Sequence, residues 1–229
     1  MPTNKFKFEL HTHTIHSDGS FTPKSLVECA KKYGYTGIAL TDHNTQSGCK
    51  EAIEWGEKLG LVVIPGIEWT TFYGHLVVLG GHSNINWNEV NPANVVEKII
   101  EAKKAGDVVG LAHPYRVGYP VCTGGRNNFP SEIFEHIDFY EAISGEVEDP
   151  TNKRAKNEYF LLKEKYDISA TYGRDWHGDN DKENCTYGAT YLLSDKETLT
   201  TQDALYLIKT GKTMIGEKVS GKDLMEEKQ

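Results

Sequence analysis

Short apolar runs rich in β-branched and aromatic residues recur along the chain, and segments with helical periodicity separate most of them. These runs predict strands over residues 6–10, 36–40, 61–69, 75–81, 107–113, 137–143 and 167–173, and a possible strand over 188–193. Helical patterns cover residues 22–34, 49–60, 92–106, 131–137, 152–166 and 201–211. The first helix has clear end signals, because Thr22 suits the N-cap, Pro23 the first turn and Gly34 the stop.

The order of these elements indicates an α/β protein. Seven strand-like runs precede residue 175 and five of them are followed by clear helices, which favours a parallel arrangement over an antiparallel sandwich. A barrel is the natural closure, and an open doubly wound sheet is the alternative. No repeat, low-complexity tract or linker divides the chain. We therefore expect one catalytic domain over residues 1–216 and a polar tail over 217–229.

Composition and charge exclude several classes of protein. The 229 residues are 38% hydrophobic and 25% charged, and no apolar run approaches the roughly 20 residues of a membrane helix. The N-terminal segment lacks the apolar region of a secretory signal, so we expect a cytoplasmic protein. A net charge of -8 argues against stable nucleic-acid binding. Divalent ions in one cleft would nevertheless make the local field positive.

Histidine and acidic residues stand at the C-terminal ends of the predicted strands, where a parallel fold would gather them at one rim. The set comprises His11, His13, His43, Glu68, His113, Asp175 and His177, and His75 stands beside a strand end as well. Neutral imidazoles and carboxylates are ligands for Zn²⁺, Mn²⁺ and Fe²⁺. Residues i and i+2 of a strand share a face, so His11 and His13 could bind one ion together. His16, His82 and His136 are expected to be surface, supporting or structural residues.

The segments "HTHTIHSDGSFTP", "TDH", "GIE", "AHP" and "GRDWH", in this order, resemble the motifs of the PHP superfamily, named for polymerase and histidinol phosphatase. The resemblance spans positions 9 to 177. The stretch "GIEWTTFYGHLVVLG" further resembles the CehA/McbA-type branch of metallohydrolases. The resemblance implies a distorted seven-stranded (β/α)7 TIM-like barrel of the PHP type, with two or three divalent ions at its C-terminal rim.

Carried over motif by motif, the resemblance also implies three sets of ligands. His11, His13, Glu68 and Asp175 would hold the first ion, Glu68 would bridge to a second held by His75 and His113, and Asp18, His43 and His177 would hold a third. The Asp18 position is histidine in some relatives. Glu9 and Arg174 depart from the pattern, because Asp is common at the first position and a small residue at the second.

Hydrolysis of a small phosphate ester is the leading functional hypothesis. A metal-bridging hydroxide would attack the phosphoryl group, with Glu68, His43, Asp18 and His177 as the catalytic residues. A metal-bound water, or a histidine near Asp18 and His43, would protonate the leaving group. The same hydroxide would attack a carbonyl, so amide, ester or carbamate hydrolysis is the alternative. A non-catalytic metal-binding domain is a third reading.

Two arginines and one acid complete the predicted site. Arg116 and Arg174 are candidates to bind the substrate phosphate, because guanidinium offers a bidentate fork. A salt bridge to a neighbouring acid is an equal alternative for Arg174. Glu141, at the end of a predicted strand, is expected to orient metal ligands. The long loop from Tyr115 to Pro130 is expected to act as a lid or to select the substrate.

Overall fold

The computed structural model describes residues 4–116, 128–179 and 187–217. Within them lie nine strands: β1 (Asn4–Glu9), β2 (Gly37–Leu40), β3 (Val62–Thr71), β4 (Gly74–Leu79), β5 (Val108–Leu111), β6 (Phe139–Ser144), β7 (Ser169–Gly173), β8 (Gly188–Ser194) and β9 (Thr213–Glu217). The α-helices are α1 (Pro23–Lys32), α2 (Cys49–Leu59), α3 (Val95–Ala105), α4 (Pro150–Lys163) and α5 (Thr201–Lys209). Short 3₁₀ helices span Trp87–Glu89 and Ser131–Glu135. The centre of the predicted lid loop and nearly all of the predicted tail lie outside the described residues.

All nine strands belong to one sheet, in the order β7-β6-β5-β4-β3-β2-β1-β8-β9. The sheet curls until its two ends meet. The backbone N–H of Tyr172 in β7 donates to Thr190 Oγ1 in β8 at 2.9 Å, and Thr213 Oγ1 in β9 donates to the carbonyl of Ala170 at 2.9 Å. The result is a nearly closed, distorted barrel. It confirms the predicted α/β barrel class, with nine described strands where seven were expected.

Strand β4 runs against the expected direction. The pairs β1–β2, β2–β3, β5–β6 and β6–β7 are parallel, whereas β4 is antiparallel to both β3 and β5. Thr71 pairs with Gly74, so only two residues connect β3 to β4, and a parallel crossover needs a dozen or more. The expectation of a uniformly parallel barrel is therefore wrong at this hairpin. Strand β8 also pairs antiparallel with β1 and with β9, which the sequence pattern did not predict.

The helix boundaries follow local chemistry. Thr22 caps α1 in a reciprocal pair with Ser25, and Pro23 begins the helix, as predicted. Gly60 ends α2 with a φ of 62°, a left-handed conformation that glycine adopts without strain. Helix α4 begins two residues before the predicted start, because Asp149 accepts from the backbone N–H of Thr151 and Pro150 occupies the first turn.

Apolar side chains pack inside the barrel and beneath the helices. The interior cluster joins Phe8, Ile64 and Val77 to Leu205 and Ile208 of α5. Helix α5 lies at the N-terminal ends of the strands, since Thr201 Oγ1 donates to the carbonyl of Val63 and Ser169 Oγ donates to the carbonyl of Ile208. Because α5 covers one end of the barrel, the opposite, C-terminal rim is the end left for a site. None of the described helices is long and apolar enough to span a membrane.

Candidate metal centre

The predicted ligands gather at the C-terminal rim. His11 and His13 follow β1, His43 follows β2, Glu68 lies in β3, His113 follows β5, and Asp175 and His177 follow β7. His75 is the second residue of β4, and it reaches the same rim because β4 runs in the opposite direction. The segments beyond β1 and β7 are joined directly, since the N–H of His13 donates to the Trp176 carbonyl at 2.9 Å and the N–H of Trp176 donates to the His11 carbonyl at 3.0 Å.

The first group of side chains is fully or largely buried. His11 Nε2 lies 3.1 Å from Glu68 Oε2 and 3.4 Å from Asp175 Oδ1. His13 Nε2 lies 3.3 Å and 3.0 Å from the same two oxygens. Asp175 adopts a φ of 55°, an uncommon backbone for a residue with a side chain and one that recurs at functional sites. The structure thus brings together the four side chains that were predicted to hold the first ion.

Glu68 faces three further imidazoles. Its Oε1 lies 2.6 Å from His75 Nδ1 and 2.8 Å from His113 Nε2. Its Oε2 lies 3.0 Å from His43 Nδ1 as well as near His11 and His13. One carboxylate thus stands between the first group and the predicted second group, as the bridging role requires.

The third group is the open side of the cluster. His43 Nε2 lies 3.4 Å from Asp18 Oδ2, and His177 Nε2 lies 3.1 Å from Asp18 Oδ1. The side chains of Asp18, His177 and His43 are 56%, 35% and 24% exposed, whereas those of His11, His13 and Glu68 are fully buried. His13 Nδ1 lies 3.7 Å from Asp18 Oδ1, so the third group is continuous with the first.

Electrostatics show that the cluster attracts positive charge. Burial alone would lower the pKa of His11 and His13, yet the neighbouring carboxylates raise the pKa of His11 well above its usual value and that of His13 to about 9. Burial alone would raise the pKa of Glu68 and Asp175, yet the histidines, with Arg116 beside Asp175, hold both well below their usual range. The buried carboxylates therefore stay ionised and draw cations, whether protons or metal ions.

The donor atoms fit a divalent ion. His11 Nε2, His13 Nε2, Glu68 Oε2 and Asp175 Oδ1 belong to a set lying within 4.8 Å of one another, and none makes a hydrogen bond of acceptable geometry among the described residues. Buried polar atoms are normally paired, so four that converge without hydrogen bonds are suited to bind one cation between them. Imidazole nitrogen and carboxylate oxygen form the donor set of Zn²⁺, Mn²⁺ and Fe²⁺. Asp18, His13, His43 and His177, and separately His43, Glu68 and His75, form two further sets of this kind.

Supporting residues hold the ligands in place. Glu141 Oε1 lies 2.7 Å from His11 Nδ1, and its Oε2 accepts from the backbone N–H of His113 at 2.7 Å, in the orienting position expected from the sequence. Gly173 makes room for that carboxylate, because a Cβ at this position would lie 2.0 Å from Glu141 Oε1. Glu9 is buried and its Oε1 accepts from the backbone N–H groups of His11 and Arg174 at 3.1 and 2.8 Å. Burial raises the pKa of Glu9 to about 8.

Two supporting residues were missed by sequence reasoning. Asp42 accepts from the backbone N–H and the hydroxyl of Thr14, both at 2.7 Å, and from Ser17 Oγ at 2.6 Å, which fixes the loop carrying Asp18. Its position beside His43 in "TDH" was the available signal. Thr70 Oγ1 lies 2.5 Å from His43 Nδ1 and sets the orientation of that ring. Thr70 lies two residues after Glu68 on the same face of β3, and this spacing could have identified it.

The predicted substrate residues line a cavity of about 400 Å³ beside the cluster, together with Asp18, Asp175 and His177. Arg116 forms an ion pair with Asp175. Arg174 is buried, and its guanidinium carbon lies 4.2 Å from the ring centre of Trp176 and 4.1 Å from that of Tyr187. A second cavity of about 440 Å³ lies at the opposite end of the barrel and contains none of the predicted ligands.

The remaining histidines lie apart from the three donor sets. His16 is exposed and its Nδ1 lies 2.7 Å from Ser47 Oγ. His136 ends the 3₁₀ helix Ser131–Glu135, and His82 Nε2 lies 3.2 Å from the Gln202 side chain. None of the three belongs to a candidate ligand set among the described residues, and their expected roles stay predictions.

Comparisons with known proteins bear on this geometry. A family model described as the PHP domain matches residues 9–153. An uncharacterized protein of Methanocaldococcus jannaschii is 28% identical over 156 residues, which make up 68% of this chain and 66% of that protein. A phosphoribosyl 1,2-cyclic phosphate 1,2-diphosphodiesterase of Eggerthella lenta is 41% identical over 64 residues, or 28% of this chain and 24% of that enzyme. The match to the family does not identify the CehA/McbA-type branch.

A solved structure shares the fold over nearly the whole chain. It is a two-domain protein of Bacteroides vulgatus that contains a predicted PHP-like metal-dependent phosphoesterase. The TM-score is 0.70 and the identity 18%, with 93% of this chain and 65% of that chain covered. The matches thus cover about two thirds of the Methanocaldococcus jannaschii and Bacteroides vulgatus proteins, and about a quarter of the Eggerthella lenta enzyme.

Proposed function

The chain belongs to the PHP domain family, and on that premise we propose that it is a metal-dependent phosphoesterase that hydrolyses a small phosphate ester. The observation that carries the proposal is the convergence of four buried donor atoms without hydrogen bonds, beside a cavity lined by two arginines. A similar protein, from Eggerthella lenta, is a phosphodiesterase, which supports phosphate ester chemistry for this site.

Each part of the cluster has a place in the proposal. His11, His13, Glu68 and Asp175 would hold one ion, Glu68 with His75 and His113 a second, and Asp18, His43 and His177 a third. When bound, such ions lower the pKa of a coordinated water to about 7 and neutralise phosphoryl oxygens. Zn²⁺, Mn²⁺ and Fe²⁺ all suit this mixture of imidazole and carboxylate.

The arginines would bind and orient the phosphate. Arg116 lines the cavity while its guanidinium contacts Asp175, so a phosphate bound there lies beside a ligand of the first ion. Arg174 contributes a positive charge held rigid between two aromatic rings. A fixed guanidinium loses little conformational entropy when it binds an anion, which favours Arg174 as an anchor for the phosphate.

The open side of the cluster supplies the group that protonates the leaving oxygen. Glu68 is sealed from solvent, whereas His43 and His177 are partly exposed and flank Asp18. An imidazole in that position can approach a substrate oxygen from the solvent side. Of the two, His43 is the better candidate, because Thr70 Oγ1 contacts its Nδ1 and orients the ring. It could act as the acid only in protein that holds no third ion, because an imidazole bound to that ion through Nε2 has no proton to donate there.

A substrate panel tests the proposal. Purified protein with Mn²⁺ or Zn²⁺ is assayed against p-nitrophenyl phosphate, a set of nucleotides and p-nitrophenyl acetate, with Asp175→Asn as the control for contaminating phosphatases. We expect phosphate release by the wild type and at least a hundredfold less by the variant, which loses one charged ligand. Hydrolysis of the acetate with no phosphate release would instead establish the carbonyl chemistry of the alternative hypothesis. Absence of both activities, with metal bound, would indicate a non-catalytic domain.

A further inference from the structure

Large apolar side chains are exposed beside the metal centre. Five such side chains are exposed in the described part of the chain: Ile15, Phe72, Tyr73, Leu161 and Tyr206. Leu161 and Tyr206 lie on the outer helices α4 and α5. The other three lie on segments that connect candidate ligands, with Ile15 between His13 and Asp18, and Phe72 and Tyr73 between Glu68 and His75. Isolated exposed hydrophobics are common, but their concentration on ligand-bearing segments is not explained by packing.

The β3–β4 hairpin holds its two aromatic residues at the rim. Thr71 pairs with Gly74, so Phe72 and Tyr73 form the turn itself, and their rings are nearly perpendicular with centres 6.2 Å apart. Phe72 is 77% exposed and Tyr73 46% exposed. Phe72 follows Thr70 by two residues, a rise of about 7 Å along an extended strand. Since Thr70 contacts His43, the backbone of Phe72 lies about 7 Å along the chain from a residue that touches the cluster.

The order of the strands places these residues around the open side of the site. Strand β2 lies between β1 and β3, so the loop that carries His43 lies between the loop of Ile15 and the turn of Phe72. The third ligand group is also the most exposed one. A substrate whose phosphate lies at the ions and whose leaving group faces His43 would place that leaving group near this apolar border.

We propose that Phe72, together with Tyr73 and Ile15, binds a planar aromatic ring on the leaving group, so that the enzyme prefers aryl or nucleoside phosphates to aliphatic ones. This inference rests on the proposed phosphoesterase function. The physical basis is stacking, because every nucleobase and aryl ring offers an apolar π-face to an exposed aromatic side chain. Phe72 is the central contact, since it is the most exposed of the three.

Steady-state kinetics of the Mn²⁺-loaded protein test the inference with three substrates: adenosine 5′-monophosphate, p-nitrophenyl phosphate and glycerol 3-phosphate. The first carries a nucleobase, the second a simple aryl ring and the third no ring. Phe72→Ala is compared with Phe72→Tyr, which keeps a ring, and with Phe72→Leu, which keeps only apolar area. Tyr206→Ala is the matched control, because Tyr206 is 64% exposed and lies on α5, at the other end of the barrel.

Phe72→Ala should raise KM about tenfold for at least one ring-bearing substrate, as expected when one stacking contact is lost. The KM for glycerol 3-phosphate should change less than twofold, and Phe72→Tyr should restore ring binding better than Phe72→Leu. A larger effect on the nucleotide identifies a nucleobase as the ring, and a larger effect on the nitrophenyl ester a simple aryl group. Because the Phe72 side chain is exposed, its replacement should leave the folded state intact, and thermal denaturation of each variant checks this directly.

Three results would overturn the inference. The first is an equal change in KM for all three substrates, or no change. The second is the same ring-selective loss in Tyr206→Ala. The third is a change of assembly without a change in ring preference, in which sedimentation shows that the wild type is a dimer and Phe72→Ala a monomer. The aromatic pair would then contact a second copy of the chain. Absence of phosphate release from every substrate would remove the proposed function and this inference together, whereas the other outcomes remove the inference alone.

Discussion

Replacement of Glu9 offers a sharp test of how the barrel holds its ligands. Glu9 Oε1 accepts hydrogen bonds from the backbone N–H groups of His11 and Arg174, which lie beyond the ends of β1 and β7. These strands do not pair along their length, and the sheet order separates them. One carboxyl group thus ties together the two segments that carry His11, His13, Asp175 and His177.

The expected cost of Glu9→Ala follows from this geometry. Two buried N–H groups lose their acceptor, and each unsatisfied group costs about 1–3 kcal/mol, so the loss in unfolding free energy should be about 4 kcal/mol. For a chain of this size that lowers Tm by roughly 10 °C. Glu9→Gln keeps an acceptor oxygen and nearly the same volume, and it should cost less than about 1 kcal/mol.

Thermal denaturation and metal competition test whether the acceptor oxygen of Glu9 holds the site. Both variants are compared with wild type at pH 7. The Tm is measured on metal-free protein, and ion affinity is measured as the chelator concentration that removes half of the Mn²⁺. Glu9→Ala should lower both Tm and ion affinity, whereas Glu9→Gln should preserve both. Equal losses in the two variants would show that an acceptor oxygen at this position is not what holds the two segments, and would contradict the proposed role of Glu9.

Four further results are expected. Glu68→Ala should lose at least two ions together by elemental analysis, because one carboxylate serves two ligand groups, and unchanged stoichiometry would refute the bridge. Glu141→Gln should weaken ion affinity about 10- to 100-fold in chelator competition. Gly173→Ala should weaken ion affinity as well, because the added methyl group would displace the Glu141 carboxylate. Unchanged ion affinity would contradict the close approach of Glu141 to Gly173. Hydrogen bonds from Lys196 and from Thr200 lower the pKa of Asp203 from 3.8 to about 2. The ionised Asp203 therefore stabilises the folded state, and this contribution is lost as pH falls through that range. Asp203→Asn should flatten the fall in Tm between pH 4 and 2.

Local signals in the sequence predicted the parallel part of the barrel well. Thr22, Pro23 and Gly34 mark α1 because capping chemistry acts over a few residues. The apolar run of β4 carries no sign of its direction, so the antiparallel hairpin was missed. The short connection between Trp69 and His75 was the usable signal, because it cannot hold a parallel crossover. Strand β9 was missed because its segment, Thr213–Glu217, has only two large apolar residues and forms no apolar run.

The site could be predicted in part because its ligands sit at strand ends. Parallel strands bring their C-terminal ends to one rim, so His11, Glu68 and Asp175 were expected together before any contact was known. His75 joined them through the motif resemblance, and the reversed direction of β4 now explains its place. Asp42 and Thr70 had positional signals, beside His43 and two residues after Glu68. The contacts that they and Glu9 make could not be predicted, because each depends on which groups face one another across the barrel.

Phosphate release by metal-stripped protein during titration with Mn²⁺ tests whether this rim is a metal-dependent phosphoesterase site. We expect no release from p-nitrophenyl phosphate or a nucleotide by the stripped protein, and activity that rises to a plateau as the ions bind. His13→Ala, which removes a buried donor atom, should abolish this recovery. Full phosphatase activity in the stripped wild type, or full recovery in His13→Ala, would contradict the assignment of this rim as a metal-dependent phosphoesterase site.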